Sequence, residues 1–143
     1  MREIQFRAKP CYKGGKVTPW VFGEFKYLWH NVIDPHATDN GRHEKRHDKG
    51  IIIGEYGETE VLFDTLGQFT SLYDKNHNRI YEGDILKVGD EKSLIEVRFV
   101  RGVFAFLWNG DLDDEFPCNA PTQEWAEVVG NIHDTPKLLK KNR

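Results

Sequence analysis

The chain has 143 residues, the size of one ordinary domain, which is long enough to bury a core without cross-links. Its net charge is −3, from 20 basic and 23 acidic residues, so the composition shows no overall bias toward nucleic acid or a membrane surface. The 9 Phe, 5 Tyr and 4 Trp exclude wholesale disorder, because disordered chains lack such side chains. Its two cysteines make no secreted-type disulfide framework, and no apolar run approaches a membrane span. We expect one cytoplasmic domain over residues 1–143.

Short strands are predicted through residues 1–63. Ile4 and Phe6 alternate with polar residues, as in a half-buried strand. The aromatic-rich stretch 20–29 predicts one or two strands bent at Gly23, and further short strands are predicted at 51–53 and 61–63. Residues 34–50 contain a single apolar residue, Ala37, and therefore predict a long exposed loop.

Residues 65–132 predict a compact, mainly β unit. The expected elements are a turn at 74–78, a hairpin of 85–88 and 93–100, a strand at 103–108, an acidic loop at 109–119, and a strand or one helical turn at 123–129. The tail, 133–143, holds a short helix at most. Short antiparallel strands at this spacing, with little helix, favour a small barrel or roll. Gly83 lies inside a strand pattern and predicts a bulge or a close backbone approach. Gly67 and Gly83 both interrupt apolar strand patterns, so each is expected to have a conformation that a Cβ would strain.

Residues 43–47, His-Glu-Lys-Arg-His, match the zincin pattern H-E-x-x-H. A zincin needs both histidines on one face of a buried helix, with Glu44 as the base and a third ligand. The segment has no apolar face that could pack a helix on a core, so we interpret it as a solvated charged segment. His30 and His36 are the residues that could complete a looser site with His43 and His47.

Two acidic segments invite a metal-binding or catalytic interpretation. Residues 111–115 resemble a calcium loop, but Phe116 stands where such a loop requires Gly and Thr122 where it requires Glu, so an acidic surface loop is predicted. Glu82 and Asp84 are two residues apart, and on a strand they would share one side as a carboxylate pair. Because Asp84 can equally hold a turn through backbone N–H groups, we favour a structural role for this pair.

The remaining candidates are nucleophiles and a basic tail. Thr70, Ser71 and Tyr73 lie near His77 in sequence, but their order matches no known triad, and turn chemistry accounts for them. A phosphate-binding glycine loop is absent from the sequence. Four basic residues near the C-terminus could follow a nucleic-acid backbone if aromatics lay beside them, although a solvated end is the simpler interpretation. They are Lys137, Lys140, Lys141 and Arg143.

Four segments resemble the YopX-like proteins of bacteriophages and prophages. They are residues 2–7, Arg-Glu-Ile-Gln-Phe-Arg; 20–23, Trp-Val-Phe-Gly; the central block 65–85; and 127–136, Glu-Val-Val-Gly-Asn-Ile-His-Asp-Thr-Pro. The central block is the most specific, and it departs from the family pattern at Ser71 and His77, where glycine is usual. A non-glycine residue at a left-handed turn position costs roughly 1 kcal/mol, so the turn at His77 is expected to differ in shape.

The resemblance implies a β-rich domain with an SH3-type barrel in its C-terminal half, a phage or prophage origin, and no known catalytic site. We therefore expect a non-catalytic accessory protein without catalytic, cofactor-binding or metal-binding residues. Its expected partner is a protein, either a second copy of the chain or another protein, since aromatic residues outnumber what one small barrel can hide. The alternative is a nucleic-acid-binding small β-barrel, which the near-neutral charge disfavours. No membrane partner is expected.

Overall fold

The computed structural model describes residues 3–11, 19–33, 44–55, 57–89, 92–117 and 121–140. It divides into two compact units. The N-terminal unit is Gln5–Leu66, and the C-terminal unit is Gly67–Arg143 together with Met1–Ile4. The predicted change from N-terminal strands to the β-rich unit at 63–65 falls close to this division. That residues 1–143 form one domain remains a prediction.

The N-terminal unit is an antiparallel sheet with strand order β4-β3-β2-β1. Its elements are β1 (Phe6–Ala8), β2 (Val21–Ile33), β3 (Glu44–Gly54), β4 (Gly57–Val61) and a 3-10 helix (Phe63–Thr65). Ala8, Ile52 and Val61 form its buried core, with Phe6 and Phe25 packed against them. After β1, the Lys9 carbonyl accepts from Leu62 N at 2.8 Å and Cys11 N donates to the Glu60 carbonyl at 3.0 Å. The sheet therefore curls into a roll.

The predicted loop at 34–50 is wrong for residues 44–50, which belong to β3 and pair with β2, while residues 34–43 lie outside the described part. Ile33 is the register partner of Glu44, and Tyr27 that of Gly50. Residues 44–50 form a strand although their sequence is polar, because backbone hydrogen bonds pair this segment with β2. The predicted strand at 61–63 is also only partly right. Val61 ends β4, and the 3-10 helix begins at Phe63.

The C-terminal unit contains a hairpin and an open five-stranded sheet with order β10-β9-β8-β7-β11. The hairpin is β5 (Gly67–Tyr73) and β6 (Arg79–Tyr81). The sheet contains β7 (Asp84–Val88), β8 (Leu94–Val100), β9 (Val103–Trp108), β10 (Glu115–Pro117) and β11 (Ala126–Asn131), and the short helices are α1 (Thr122–Trp125) and α2 (Lys137–Lys140). The mainly β prediction with little helix is confirmed, as a roll and not a closed barrel. Residues 123–129 hold both alternatives, a helical turn followed by a strand.

Aromatic residues close the core of the C-terminal unit. Phe106 is fully buried among aliphatic residues of β6, β7 and β8. The rings of Trp125 and Phe116 meet it edge-on, with centroids 5.6 Å and 5.3 Å away. Such pairs add stability beyond the area they bury. These three aromatic side chains therefore serve the core of the C-terminal unit.

The turn at residues 74–78 is organised by the buried carboxylate of Asp74. Its Oδ1 accepts from Asn76 N at 2.9 Å and from Asn78 N at 2.8 Å. Its Oδ2 accepts from Asn78 Nδ2 at 3.2 Å and from Val128 N, on β11, at 3.0 Å. Burial by itself raises the pKa of the Asp74 carboxyl, but these hydrogen bonds outweigh it and hold the pKa below its usual range. One side chain thus connects the turn to the edge of the five-stranded sheet.

Four residues of the central block show why glycine is favoured at their positions. His77 and Ser71 have φ of 64° and 70°, so both occupy the left-handed region despite carrying a Cβ. Gly83 has φ of 93° and forms a tight turn between β6 and β7. A Cβ on Gly67 would lie 2.5 Å from the Glu82 carbonyl oxygen, so a side chain there would be strained, as predicted. The bulge or close approach predicted at Gly83 is wrong, because a Cβ there would meet its nearest neighbouring atom at 3.6 Å and the residue instead lies in a turn with positive φ. The expected change of turn shape at His77 did not occur, because the histidine adopts the positive φ that glycine would supply.

Candidate interaction surface

The zincin-like string does not lie on a helix in the described part of the chain. Residues 44–47 belong to the extended strand β3, and His43 and His36 lie outside the described residues. His30, on β2, is the register partner of His47. Residues four apart in a strand are about 13 Å apart, whereas a zincin requires them on successive turns of a helix. The strand at residues 44–47 does not have the helical geometry that a zincin requires.

The acidic segment is an exposed loop at residues 111–114, but Glu115 begins β10, so the predicted acidic loop at 109–119 is wrong for residues 115–117. Asn109 and Gly110, with φ of 54° and 73°, form the turn that precedes it, and Asp111 N donates to the Trp108 carbonyl at 3.0 Å. The Asp111 carboxylate accepts from Asp113 N at 2.9 Å. Among the described residues, no three His, Cys, Asp or Glu side chains are grouped so as to hold a metal ion.

Glu82 and Asp84 do not share one strand, because residues 82–83 form the turn between β6 and β7. Asp84 is almost fully buried, and its Oδ2 accepts from Tyr81 N at 2.8 Å. Its role is therefore architectural, as favoured from the sequence. Burial raises the pKa of the Glu82 carboxyl, and a hydrogen bond from the Gln68 backbone lowers it by less.

The hydroxyl and histidine candidates also serve the fold. The Thr70 hydroxyl donates to the Ile80 carbonyl at 2.7 Å and accepts from Leu72 N at 3.2 Å, beside the bulge in β5. His77 is exposed in its turn. Lys137 and Lys140 lie in α2, whereas Lys141 and Arg143 lie outside the described residues.

The closing motif at 127–136 is held by one asparagine and one threonine. Asn131 Oδ1 accepts from the backbone N–H groups of His133 and Asp134 at 3.0 Å and 2.9 Å. The Thr135 hydroxyl donates to the Asn131 carbonyl at 3.0 Å and accepts from Asn131 N at 3.1 Å. These hydrogen bonds close the turn that follows β11, which gives this part of the motif a structural role.

Sequence reasoning missed a buried ion pair on β8. The Glu96 carboxylate is buried and accepts from Arg98 Nε at 2.6 Å and Nη2 at 2.8 Å. Arg98 lines a groove of about 530 Å³ with the turn at Asn109 and the rim residues Asp111 and Asp114. The guanidinium is already bound in a bidentate manner, so we assign no ligand to this groove. The signal in the sequence that could have indicated this ion pair is the alternation of Glu96 and Arg98 with apolar residues.

An exposed apolar strip with acidic borders crosses the outward face of the N-terminal unit. Phe22 on β2 and Ile53 on β3 are 44% and 37% exposed, although both side chains are large and apolar. Successive side chains of a strand point to opposite faces, so these two residues share the face that lies away from Ile52 and the core. An exposed cluster of this kind is typical of a contact site for another protein.

Carboxylates flank this strip because of the strand register. Ile53 lies between Glu24 on β2 and Glu58 on β4, and Ile51 lies between Lys26 and Glu60. All four charged residues are exposed. We call the set the acidic face; it comprises Phe22, Glu24, Lys26, Ile51, Ile53, Glu58 and Glu60. The exposed charges of this face are three carboxylates and one ammonium group, and the buried Arg7 is the register partner of Phe22. The exposed glutamates favour a basic, partly apolar partner.

The edges of the five-stranded sheet are not open to strand addition in the described residues. On β11, Val128 N donates to Asp74, and the Ala126 carbonyl accepts from Lys75 N at 2.9 Å. The opposite edge strand, β10, is only three residues long and ends in Pro117, which has no N–H to donate. Both are known ways to prevent edge-to-edge pairing. Contacts made by this sheet must therefore use side chains.

Comparison with known proteins gives a family and a similar solved structure. The structure is similar to the crystal structure of protein EF1440 from Enterococcus faecalis, with a TM-score of 0.48 and 22% identity over 96% of this chain and 98% of that one. Comparison with curated protein sequences finds no significant match. No helix in the described part of the chain has the length and apolar character of a membrane span. The sequence profile of the YopX protein family matches residues 19–140, so the chain belongs to the YopX protein family.

Proposed function

We propose that this YopX protein is a non-catalytic accessory protein of a phage or prophage that acts by binding a protein surface, most simply that of a second copy. The observation that carries the proposal is the acidic face, where Phe22 and Ile53 remain exposed in the centre of a regular sheet. Burying the two side chains in a contact would recover about 25 cal/mol for each Å² of apolar surface removed from water. The proposed site of action is the cytoplasm of a bacterial host.

The charge distribution supports a protein partner over nucleic acid. Binding to phosphates needs several Lys or Arg side chains on one face, and it weakens steeply as salt is added. On the acidic face, Lys26 is accompanied by three glutamates. In the described C-terminal unit, Arg79 pairs with Glu3 at 2.8 Å and Lys75 with Glu127 at 3.4 Å. These pairs leave fewer cations for a phosphate backbone.

Sedimentation velocity between about 1 and 100 μM tests the proposal, together with the anisotropy of a labelled single-stranded DNA and RNA. We expect concentration-dependent association and no saturable nucleic-acid binding at physiological salt. A strictly monomeric chain that binds single strands tightly, and releases them as salt rises, would contradict the proposal and favour the nucleic-acid module.

A further inference from the structure

A second exposed apolar site lies at the end of the β8–β9 hairpin. Phe99 and Val103 are 48% and 59% exposed. Arg101 and Gly102, with φ of 49° and 82°, form the two-residue turn between them, and Val100 pairs with Val103. The rings of Phe99 and Phe104 meet edge-on with centroids 5.1 Å apart. We call residues 99–103 the hairpin tip. Its turn and its aromatic pair fix its shape, so little ordering is needed on contact.

The hairpin tip presents positive charge outward. Arg101 forms an ion pair with Glu115, but the arginine side chain is 73% exposed and the glutamate 27%. The neighbouring pair has the same polarity, since Arg98 is 37% exposed and Glu96 is 4% exposed. In both pairs the carboxylate lies inward and the guanidinium outward. Because a guanidinium has five N–H donors, the exposed guanidinium of Arg101 can bind a second carboxylate.

We propose that the hairpin tip of one copy docks on the acidic face of a second copy, an inference that rests on the proposed function. Each surface supplies what the other lacks, because exposed apolar side chains lie beside carboxylates on the acidic face and beside the exposed guanidinium of Arg101 on the hairpin tip. A contact between two acidic faces would bring three glutamates of each copy together, which is repulsive. The tip-to-face contact joins two different patches, so it builds a ring or an open chain of copies.

A charge-swap experiment isolates this contact. Arg101→Glu places a carboxylate against the acidic face, and Glu58→Lys places an ammonium group against the hairpin tip. Each variant alone is expected to weaken association at least tenfold in sedimentation velocity. An equal mixture of the two is expected to recover association, because the altered tip then meets the altered face and the native tip meets the native face. Val103→Ser is expected to weaken association through the apolar part.

Matched controls carry the same charge change away from the contact. Lys87→Glu, on exposed β7 surface, matches Arg101→Glu, and Glu124→Lys, exposed on α1, matches Glu58→Lys. Both controls are expected to associate like the unmodified chain, and circular dichroism melting checks that each variant is folded. Association that resists the swaps, or that the mixture does not recover, overturns the docking and leaves the proposed function standing. A chain that is monomeric at 100 μM overturns the docking together with self-association as the form that the proposed function takes.

Discussion

Replacing Asp74 with asparagine should destabilise the protein more than any comparable change at its surface. The substitution keeps the shape but replaces one acceptor oxygen with an NH2 group. The remaining side-chain oxygen of asparagine can still accept hydrogen bonds from two of the four N–H donors. The other two donors then face the NH2 group, which cannot accept. Because Asp74 is completely buried, each stranded donor costs about 1–3 kcal/mol. We expect a loss of about 2–4 kcal/mol in the free energy of unfolding, which lowers Tm by roughly 10 °C.

The matched control is Asp111→Asn. Asp111 also forms a turn through its carboxylate, but it is exposed and accepts one hydrogen bond, from Asp113 N at 2.9 Å. Its replacement should cost less than about 0.5 kcal/mol. Urea unfolding followed by tryptophan fluorescence measures both variants against the unmodified chain. If Asp74→Asn lies within about 0.5 kcal/mol of the unmodified chain, the hydrogen bonds of Asp74 do not support the fold as argued.

The pH dependence of the difference gives a second test. The folded-state pKa of Asp74 is lowered, so its contribution is present above the unfolded-state pKa and is lost as pH falls through the folded-state value. The unmodified chain should therefore exceed Asp74→Asn most at neutral pH, and the gap should narrow below about pH 4. A gap that stays constant from pH 7 to pH 3 would show that the charge of Asp74 is not involved.

Three further predictions concern residues of the central block 65–85. His77→Gly should stabilise the chain by about 0.5–1 kcal/mol in urea unfolding, since the residue has φ of 64°, while His77→Ala should give no gain. Gly83→Val should cost about 1–3 kcal/mol, because φ of 93° strains any Cβ, and an unchanged Tm would contradict this. Glu82→Gln should stabilise the chain at neutral pH, because burial raises the pKa of Glu82 and the folded state favours its protonated form. Its advantage should shrink as pH falls through that raised pKa, and an advantage independent of pH would contradict the cause given.

Local chemistry explains which parts of the fold were predictable. The turn at residues 74–78 was found because Asp and Asn bond their own backbone, and the structure shows those bonds at Asp74. The hairpin of β7 and β8 was found because alternation and turn residues are local signals. The β2–β3 ladder was missed at residues 44–50, since β3 is polar there although its partner strand carries apolar residues such as Leu28 and Val32. The apolar content of residues 44–50 carries no information about this pairing.

The acidic face could not be read from the sequence because its parts lie on three strands. Glu24 and Glu58 are far apart along the chain, and only the register through Ile53 brings them to one row. The sequence predicted strands at 20–29 and 61–63 and did not identify residues 57–60 as part of a strand. It did not show that Phe22 and Ile53 would be the exposed apolar residues among these charges, because that depends on which face covers the core.

Asp74 also affects how copies of the chain associate, because it lies at the edge of the five-stranded sheet. Asp74 both holds its turn and occupies the outward N–H of Val128 on the edge strand β11. The unmodified chain is therefore expected to associate through side chains, which is why a charge swap can control it. Asp74→Asn frees that N–H and leaves an edge strand that can pair with another chain. Association of the Asp74→Asn variant should consequently resist the added Arg101→Glu change and increase with added salt. Association through the hairpin tip and the acidic face should instead weaken as salt screens the charges.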